Sequence, residues 1–331
     1  MSKIAIIGAG SWGTALSTVL AGKGEKVSIW DIDAAHLDRM RGNRENVDYL
    51  PGVNLPLNID MPSEEKDALD GADFVLFSAP AQHFRNALET AKQYMPTDAI
   101  VINVAKGIEQ KSLKRMSEIA SDIIDLNKYV VLSGPSHAEE VGRRQPTTVA
   151  SASINLETAE KVQDLFMTDR FRVYTTEDVV GVELGGSLKN IIALGAGISD
   201  GMGFGDNAKA ALITRGLAEI TRLGIKLGAK PETFAGLTGT GDLIVTCTSM
   251  HSRNRRCGIM IGEGVAPDEA TKRVGMVVEG MFTAEAAYEL AQRNNVEMPI
   301  TEAIYKTIKG EIAAADTVSL LMGREKKHEQ A

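Results

Sequence analysis

The chain has 331 residues, an apolar share of 44%, a charged share of 24% and a net charge of -8. Such ordinary globular values exclude disorder, a collagen-like repeat and a disulfide scaffold, and the length predicts two domains, each able to bury its own core. The acidic balance excludes a general nucleic-acid surface, so an anionic ligand must meet a local cluster of Lys and Arg.

At the N-terminus a single Lys3 precedes Ile4 to Ile7 and then glycines, which reads as a buried strand entering a turn rather than a secretory segment. The nearly uncharged stretch Asn190 to Ser199 is far shorter than the roughly 20 residues that cross a bilayer. A cytoplasmic protein without membrane insertion is expected. Cys247 and Cys257 read as reduced packing residues, with no bridge and no metal site expected.

In chain order, Ile4 to Ile7, Val27 to Trp30, Phe74 to Ala79, Ile100 to Val104 and Val130 to Leu132 read as strands separated by helix-length stretches. This alternation predicts a parallel sheet with crossover helices. Leu113, Met116, Ile119 and Ile123 fall at three- and four-residue steps and predict one helix. A strand at Thr147 to Ala150, a helix at Leu156 to Met167 and a strand at Phe171 to Tyr174 complete the sheet near residue 177. Beyond it, helical segments follow one another at about 179 to 200, 206 to 227, 253 to 262, 279 to 293 and 299 to 309. The predicted fold is therefore α/β: a Rossmann-type doubly wound parallel sheet over residues 1 to 178, then an all-α domain over 179 to 331. Gly181, Gly185, Gly186, Gly195 and Gly197 are costly inside a helix, which predicts close approach of another backbone or a ligand. The charged tail Arg324 to Ala331 is expected to fray.

The first strand runs into Gly8-Ala9-Gly10-Ser11-Trp12-Gly13, the spacing G-x-G-x-x-G between strand and helix. Gly8 permits the tight turn, Gly10 lets backbone approach a pyrophosphate, and Gly13 lets helix and strand pack closely. The second strand ends in Asp31, placed to bind the adenosine ribose. A packing turn and a solvated aspartate are the competing readings. Further along, Lys106 follows the strand ending at Val104, and Gly134 to Ala138 form a small-residue turn after Leu132, both at the sheet edge where open α/β folds bind ligands. Lys189 and Asn190 interrupt a small, apolar helix. A partly buried amine there loses solvation of its charged form and becomes fit for proton transfer, unless it snorkels to solvent. Asp242 sits in a glycine turn, and Ser252, Arg253 and Asn254 open a helix suited to a phosphate, with Arg255 and Arg256 equally read as a solvated basic face.

Eight segments, GAGSWGTAL at the start, KGIE from 106, SGPSHAEEV from 133, LKNIIALGAG from 188, NAKAALITRGLAE from 207, GLTGTGDLIVTCTSMHSRNRR from 236, VVEG from 277 and MPITEAIY from 298, resemble the NAD(P)-dependent glycerol-3-phosphate dehydrogenases in order and over nearly the whole chain. The resemblance implies interconversion of sn-glycerol 3-phosphate and dihydroxyacetone phosphate with NAD(P)(H), supplying glycerophospholipid synthesis, usually by a homodimer. It implies that Lys189 is the proton acceptor and that Lys106, Asn190 and Asp242 share the catalytic site. Ser11, Trp12, Lys106, Ala138, Arg253, Val277 and Glu279 would touch the dinucleotide. Gly134, Ser136, Ser252, Arg253 and Asn254 would surround the substrate with Lys106, Lys189 and Asp242. Where bacterial relatives often carry Gly or Ala followed by His or Arg, this chain has Asp31-Ile32-Asp33, without a cation for a 2'-phosphate, so NAD is expected over NADP. A 3-hydroxyacid or 6-phosphogluconate enzyme is the nearest rival, disfavoured by Gly134 and the Ser252 to Asn254 segment. A non-catalytic dinucleotide sensor would need neither Lys189 nor Arg253.

Overall fold

The computed structural model describes residues 1–326 and 328–329, so the tail expected to fray lies partly outside the described residues. Eight strands, β1 (Lys3–Ile7), β2 (Lys26–Trp30), β3 (Ile59–Asp60), β4 (Phe74–Phe77), β5 (Ile100–Asn103), β6 (Tyr129–Ser133), β7 (Thr147–Ala152) and β8 (Phe171–Thr176), form one sheet in the order 3-2-1-4-5-6-7-8. The first six reproduce the doubly wound order, in which β1 and β4 are central neighbours and the crevice above their carboxyl ends receives ligands. The sheet is not parallel throughout. β7 runs antiparallel to β6, pairing Leu132 with Ser151, and β8 returns parallel to β7. The link from β6 to β7, residues 134 to 146, therefore turns the chain back at the carboxyl edge of β6 rather than crossing the sheet.

Seven helices accompany the sheet: α1 (Ser11–Gly22), α2 (Ala34–Asn43), α3 (Glu65–Leu69), α4 (Phe84–Ala91), α5 (Met116–Ser121), α6 (Ala138–Gly142) and α7 (Leu156–Phe166). Two apolar clusters bury the sheet, one holding Ile4, Ile6, Leu16 and Ile29, the other Ala5, Val75, Phe77 and Phe84. The stripe expected from Leu113 to Ile123 is only partly helical. Leu113 adopts φ 59° in the turn closed by the bridge between Ile108 and Arg115, and α5 spans only Met116–Ser121.

Among the described residues, every later regular element is helical: α8 (Val179–Gly201), α9 (Asp206–Lys226), α10 (Pro231–Ala235), a π-helical turn (Leu237–Gly241), α11 (Asp242–Thr248), α12 (Arg253–Gly262), α13 (Pro267–Val274), α14 (Glu279–Arg293), α15 (Pro299–Ile308) and α16 (Ala314–Met322). Asp178 starts α8 by accepting the Gly181 N–H at 2.9 Å. By length and composition α8 could cross a bilayer, yet 94% of its most apolar window is buried inside the protein. It is the central post of the helical core, and its glycines are contact points. A Cβ on Gly197 would lie 2.1 Å from the Arg255 carbonyl oxygen, and one on Gly258 2.1 Å from that of Leu194, so α8 and α12 cross at backbone distance. That crossing sets the first turn of α12 against the middle of α8.

Candidate active site

At the end of β1 the chain turns through Gly8 at φ 107°, where a Cβ would lie 2.9 Å from the Ser78 backbone. Space opens beside Gly10, where an added Cβ would meet nothing within 4 Å. No side chain caps α1, which leaves its first N–H groups and its dipole facing that space, the arrangement that binds a pyrophosphate. The Trp12 indole Nε1 is buried without a hydrogen-bond partner among the described residues, as is Oε2 of Glu279, whose Oε1 accepts the Ala81 N–H at 3.1 Å. These orphaned polar atoms fit a dinucleotide with its own donors and acceptors. Asp31 accepts the Ala9 N–H at 2.7 Å and the Asp33 N–H at 3.0 Å. Ala138 is the first residue of α6 and packs into the sheet core, whereas Val277 is partly exposed just before α14.

The carboxyl ends of β5 and β6 face α8. Lys106 reaches Asp242 at 2.7 Å and the Gly134 carbonyl at 3.1 Å, while the Ser136 hydroxyl donates to the same carbonyl at 2.8 Å. From the other side Lys189 reaches Asp242 at 2.5 Å and the Thr246 hydroxyl at 2.7 Å. Asp242 thus bridges two ammonium groups, with Lys189 and Asp242 both buried. Burial raises the Asp242 pKa, but Lys106 and Lys189 outweigh it and hold the carboxyl below its usual range. Burial lowers Lys189 to about 8, against the opposing pull of Asp242. The lysine does not snorkel. Its amine can change protonation near neutral pH, as an acid–base group must.

Asn190, one residue further, has its Oδ1 held by Asn254 Nδ2 at 3.0 Å, and Asn254 Oδ1 accepts the Gly280 N–H at 2.8 Å. This chain fixes the Asn190 amide, whose Nδ2 makes 3.5 Å contacts to the Lys106 and Gly186 carbonyls. Asn254 therefore spends its own amide on positioning. Ser252 is the N-cap of α12, its hydroxyl accepting the Arg255 N–H at 3.2 Å. Arg253, the first residue of α12, makes no hydrogen bond or ion pair within the protein among the described residues, and burial lowers its pKa against Glu279 and Glu139. Arg255 is different: it pairs with Asp200 at 2.7 Å and belongs to the scaffold.

Sequence reasoning missed Thr246, one helical turn after Asp242, because a hydroxyl in Leu243 to Cys247 gives no signal until the helix forms. It also missed Glu183, which accepts from Ser117, Tyr129 and Arg115 and ties α8 to α5 and β6.

A dinucleotide loop on a doubly wound sheet, facing a buried lysine–carboxylate–lysine cluster on a helical domain, defines a two-domain nicotinamide-dependent dehydrogenase. Models of the NAD-dependent glycerol-3-phosphate dehydrogenase N-terminus and C-terminus match residues 3–159 and 178–319, and the chain belongs to that family. A glycerol-3-phosphate dehydrogenase [NAD(P)+] of Pelotomaculum thermopropionicum is 55% identical over 330 residues, covering 99% of this chain and 95% of the relative. Its Clostridium perfringens counterpart is 52% identical with 100% of both chains covered. The crystal structure of the Coxiella burnetii glycerol-3-phosphate dehydrogenase superposes with a TM-score of 0.94 at 39% identity, covering 98% of this chain and 99% of that one.

Proposed function

We propose that this chain interconverts sn-glycerol 3-phosphate and dihydroxyacetone phosphate using NAD(H) or NADP(H). The observation that carries the reading is the buried Lys189–Asp242–Lys106 cluster set between the Gly134 turn and the N-terminus of α12. Gly8, Gly10, Ser11, Trp12 and Gly13 would hold the dinucleotide phosphates, with Ala138, Val277 and Glu279 along the same ligand. A bound nicotinamide supplies the two-electron acceptor for the carbinol carbon and, in reverse, the donor to the carbonyl.

In oxidation the neutral Lys189 amine takes the C2 hydroxyl proton; in reduction its ammonium returns a proton to the carbonyl oxygen. Asp242 holds the amine in place and offsets the charge of the resulting ammonium, while Thr246 fixes its direction. Lys106 and the Asn190 amide, whose Nδ2 makes only long contacts to the Lys106 and Gly186 carbonyls, polarise the substrate oxygen. Gly134, Ser136 and Ser252 line the substrate, and Arg253, with no hydrogen bond or ion pair among the described residues, takes the phosphate through paired N–H groups. The two sequence halves divide these tasks at Asp178, the cofactor loop before it and the proton-transfer lysine after it. The family resemblance extends the reading to a cytoplasmic homodimer supplying glycerophospholipid synthesis. Purified protein should consume NADH when given dihydroxyacetone phosphate, followed by absorbance; no turnover with either NADH or NADPH overturns the proposal.

Asp31 directs the preference toward NAD. Its carboxylate would oppose a 2'-phosphate, and neither nearby candidate cation is free: Lys3 holds the Asp70 carbonyl and Arg39 binds Asp48 at 2.8 Å. Lost ribose bonds plus like-charge repulsion give about 5- to 150-fold discrimination. The ratio of kcat/KM for NADH over NADPH should collapse in Asp31→Gly. An unchanged ratio, or a parent that prefers NADPH, removes Asp31 from this role.

A further inference from the structure

Beneath the dinucleotide loop lies a histidine that the mechanism above does not use. His36 is 2% exposed, with Nε2 3.1 Å from the Ala9 carbonyl oxygen and Nδ1 2.9 Å from Asp48 Oδ2. A carbonyl oxygen only accepts. Asp48 Oδ2 also receives Arg39 Nε at 3.0 Å and Nη2 at 2.8 Å, and Arg39 first, then His36, holds this carboxyl below its usual range, so it too only accepts. A neutral imidazole has one N–H and can satisfy one such partner; the imidazolium has two and satisfies both.

We propose that His36 is a positioning residue held as a buried imidazolium, and that its second proton fixes the Ala9 peptide in the form that receives the dinucleotide. The Ala9 carbonyl also accepts from Asn46 Nδ2 at 2.8 Å, while the Ala9 N–H is held by Asp31. His36 thus closes a clamp around the middle of Gly8-Ala9-Gly10. The charged groups around it are unequal in sign. Asp48 contacts the ring, Asp33 caps α2 by accepting the His36 N–H at 3.0 Å, and Asp31 sits across the Ala9 peptide. Against them stand Arg39, which shares Asp48, and the N-terminal dipole of α2, whose third residue is His36. Tyr49 covers the ring edge-on at 4.9 Å.

The consequence is a coupling between proton and cofactor: NADH affinity declines as pH rises and the imidazolium loses the proton that one of its two acceptors requires. This rests on the dinucleotide reading of the loop, so the test has an arm that needs no cofactor. Nitrogen-15 NMR of the full chain labelled at histidine, with His36→Gln identifying the resonance, should give two protonated ring nitrogens for His36 at about pH 7. Asp48→Asn, a change at a partly exposed position, offers an amide that can donate to Nδ1 and should leave a neutral ring with Nε2–H retained. Titration calorimetry with NADH should find the parent's affinity about 10-fold weaker at about pH 9 than at about pH 6, with a clearly smaller change in Asp48→Asn. A neutral His36 in the parent, or the same pH dependence in both proteins, overturns the proposal. NADH that binds neither protein at any pH overturns the dinucleotide reading and this coupling with it.

Discussion

Lys189→Ala should lower the turnover number for dihydroxyacetone phosphate reduction by about 100-fold or more, the least that loss of a positioned acid–base group costs. NADH affinity should barely change, because Lys189 faces Asp242 and Thr246 rather than the glycine loop. The alanine variant leaves a gap in a buried site, so Lys189→Met, which keeps most of the side-chain volume without the amine, separates lost chemistry from lost packing. Both should be slow if the amine is the proton carrier. The pH dependence adds a sign. Burial brings Lys189 down to about 8. Reduction uses the ammonium, so its kcat/KM should fall as pH rises through about 8; oxidation uses the free amine and should rise over the same interval. Near-normal turnover in Lys189→Met, or parallel pH profiles in the two directions, would make this lysine structural.

That lysine was legible in the sequence for a physical reason: a charged residue within an apolar, glycine-rich helix conflicts with its neighbours, and such conflict marks a site. The strands β1, β2, β4, β5 and β6 were legible because buried parallel strands are continuous apolar runs. Two-residue β3 carries no such run. The reversal of β7 was hidden as well, since an apolar strand reads alike in either direction. Leu113 misled because helical spacing continues across a turn that φ 59° breaks. The partners of the site were the least visible part. Asp242, 53 residues from Lys189, and Asn254, 64 from Asn190, meet their partners only when α11 and α12 fold across α8. His36 gave no signal at all; its two acceptors come from the Ala9 loop and from the segment after α2.

Arg253→Lys should raise the KM for dihydroxyacetone phosphate by about 10-fold, and Arg253→Ala further, because a planar guanidinium holds phosphate by two parallel bonds that an ammonium cannot copy. The structural case is the contrast between neighbours on one helix turn. Arg255 is committed to Asp200 through Nε at 2.9 Å and Nη2 at 2.7 Å, whereas Arg253 has no such partner among the described residues. A buried guanidinium that no carboxylate pairs with directly among the described residues, Glu279 and Glu139 acting only from further off, is stabilised when a ligand brings an anion, and the preceding Ser252 cap orients the start of α12 toward it. Unphosphorylated dihydroxyacetone sharpens the test. If Arg253 reads the phosphate, its replacement lowers kcat/KM for the phosphorylated ketone and leaves the small value for dihydroxyacetone nearly unchanged, so the preference between the two shrinks. Replacing Arg255 instead breaks the link between α12 and α8, and its first effect should be a lower Tm. Equal losses on both ketones in Arg253→Lys would assign Arg253 to the scaffold and place the phosphate elsewhere.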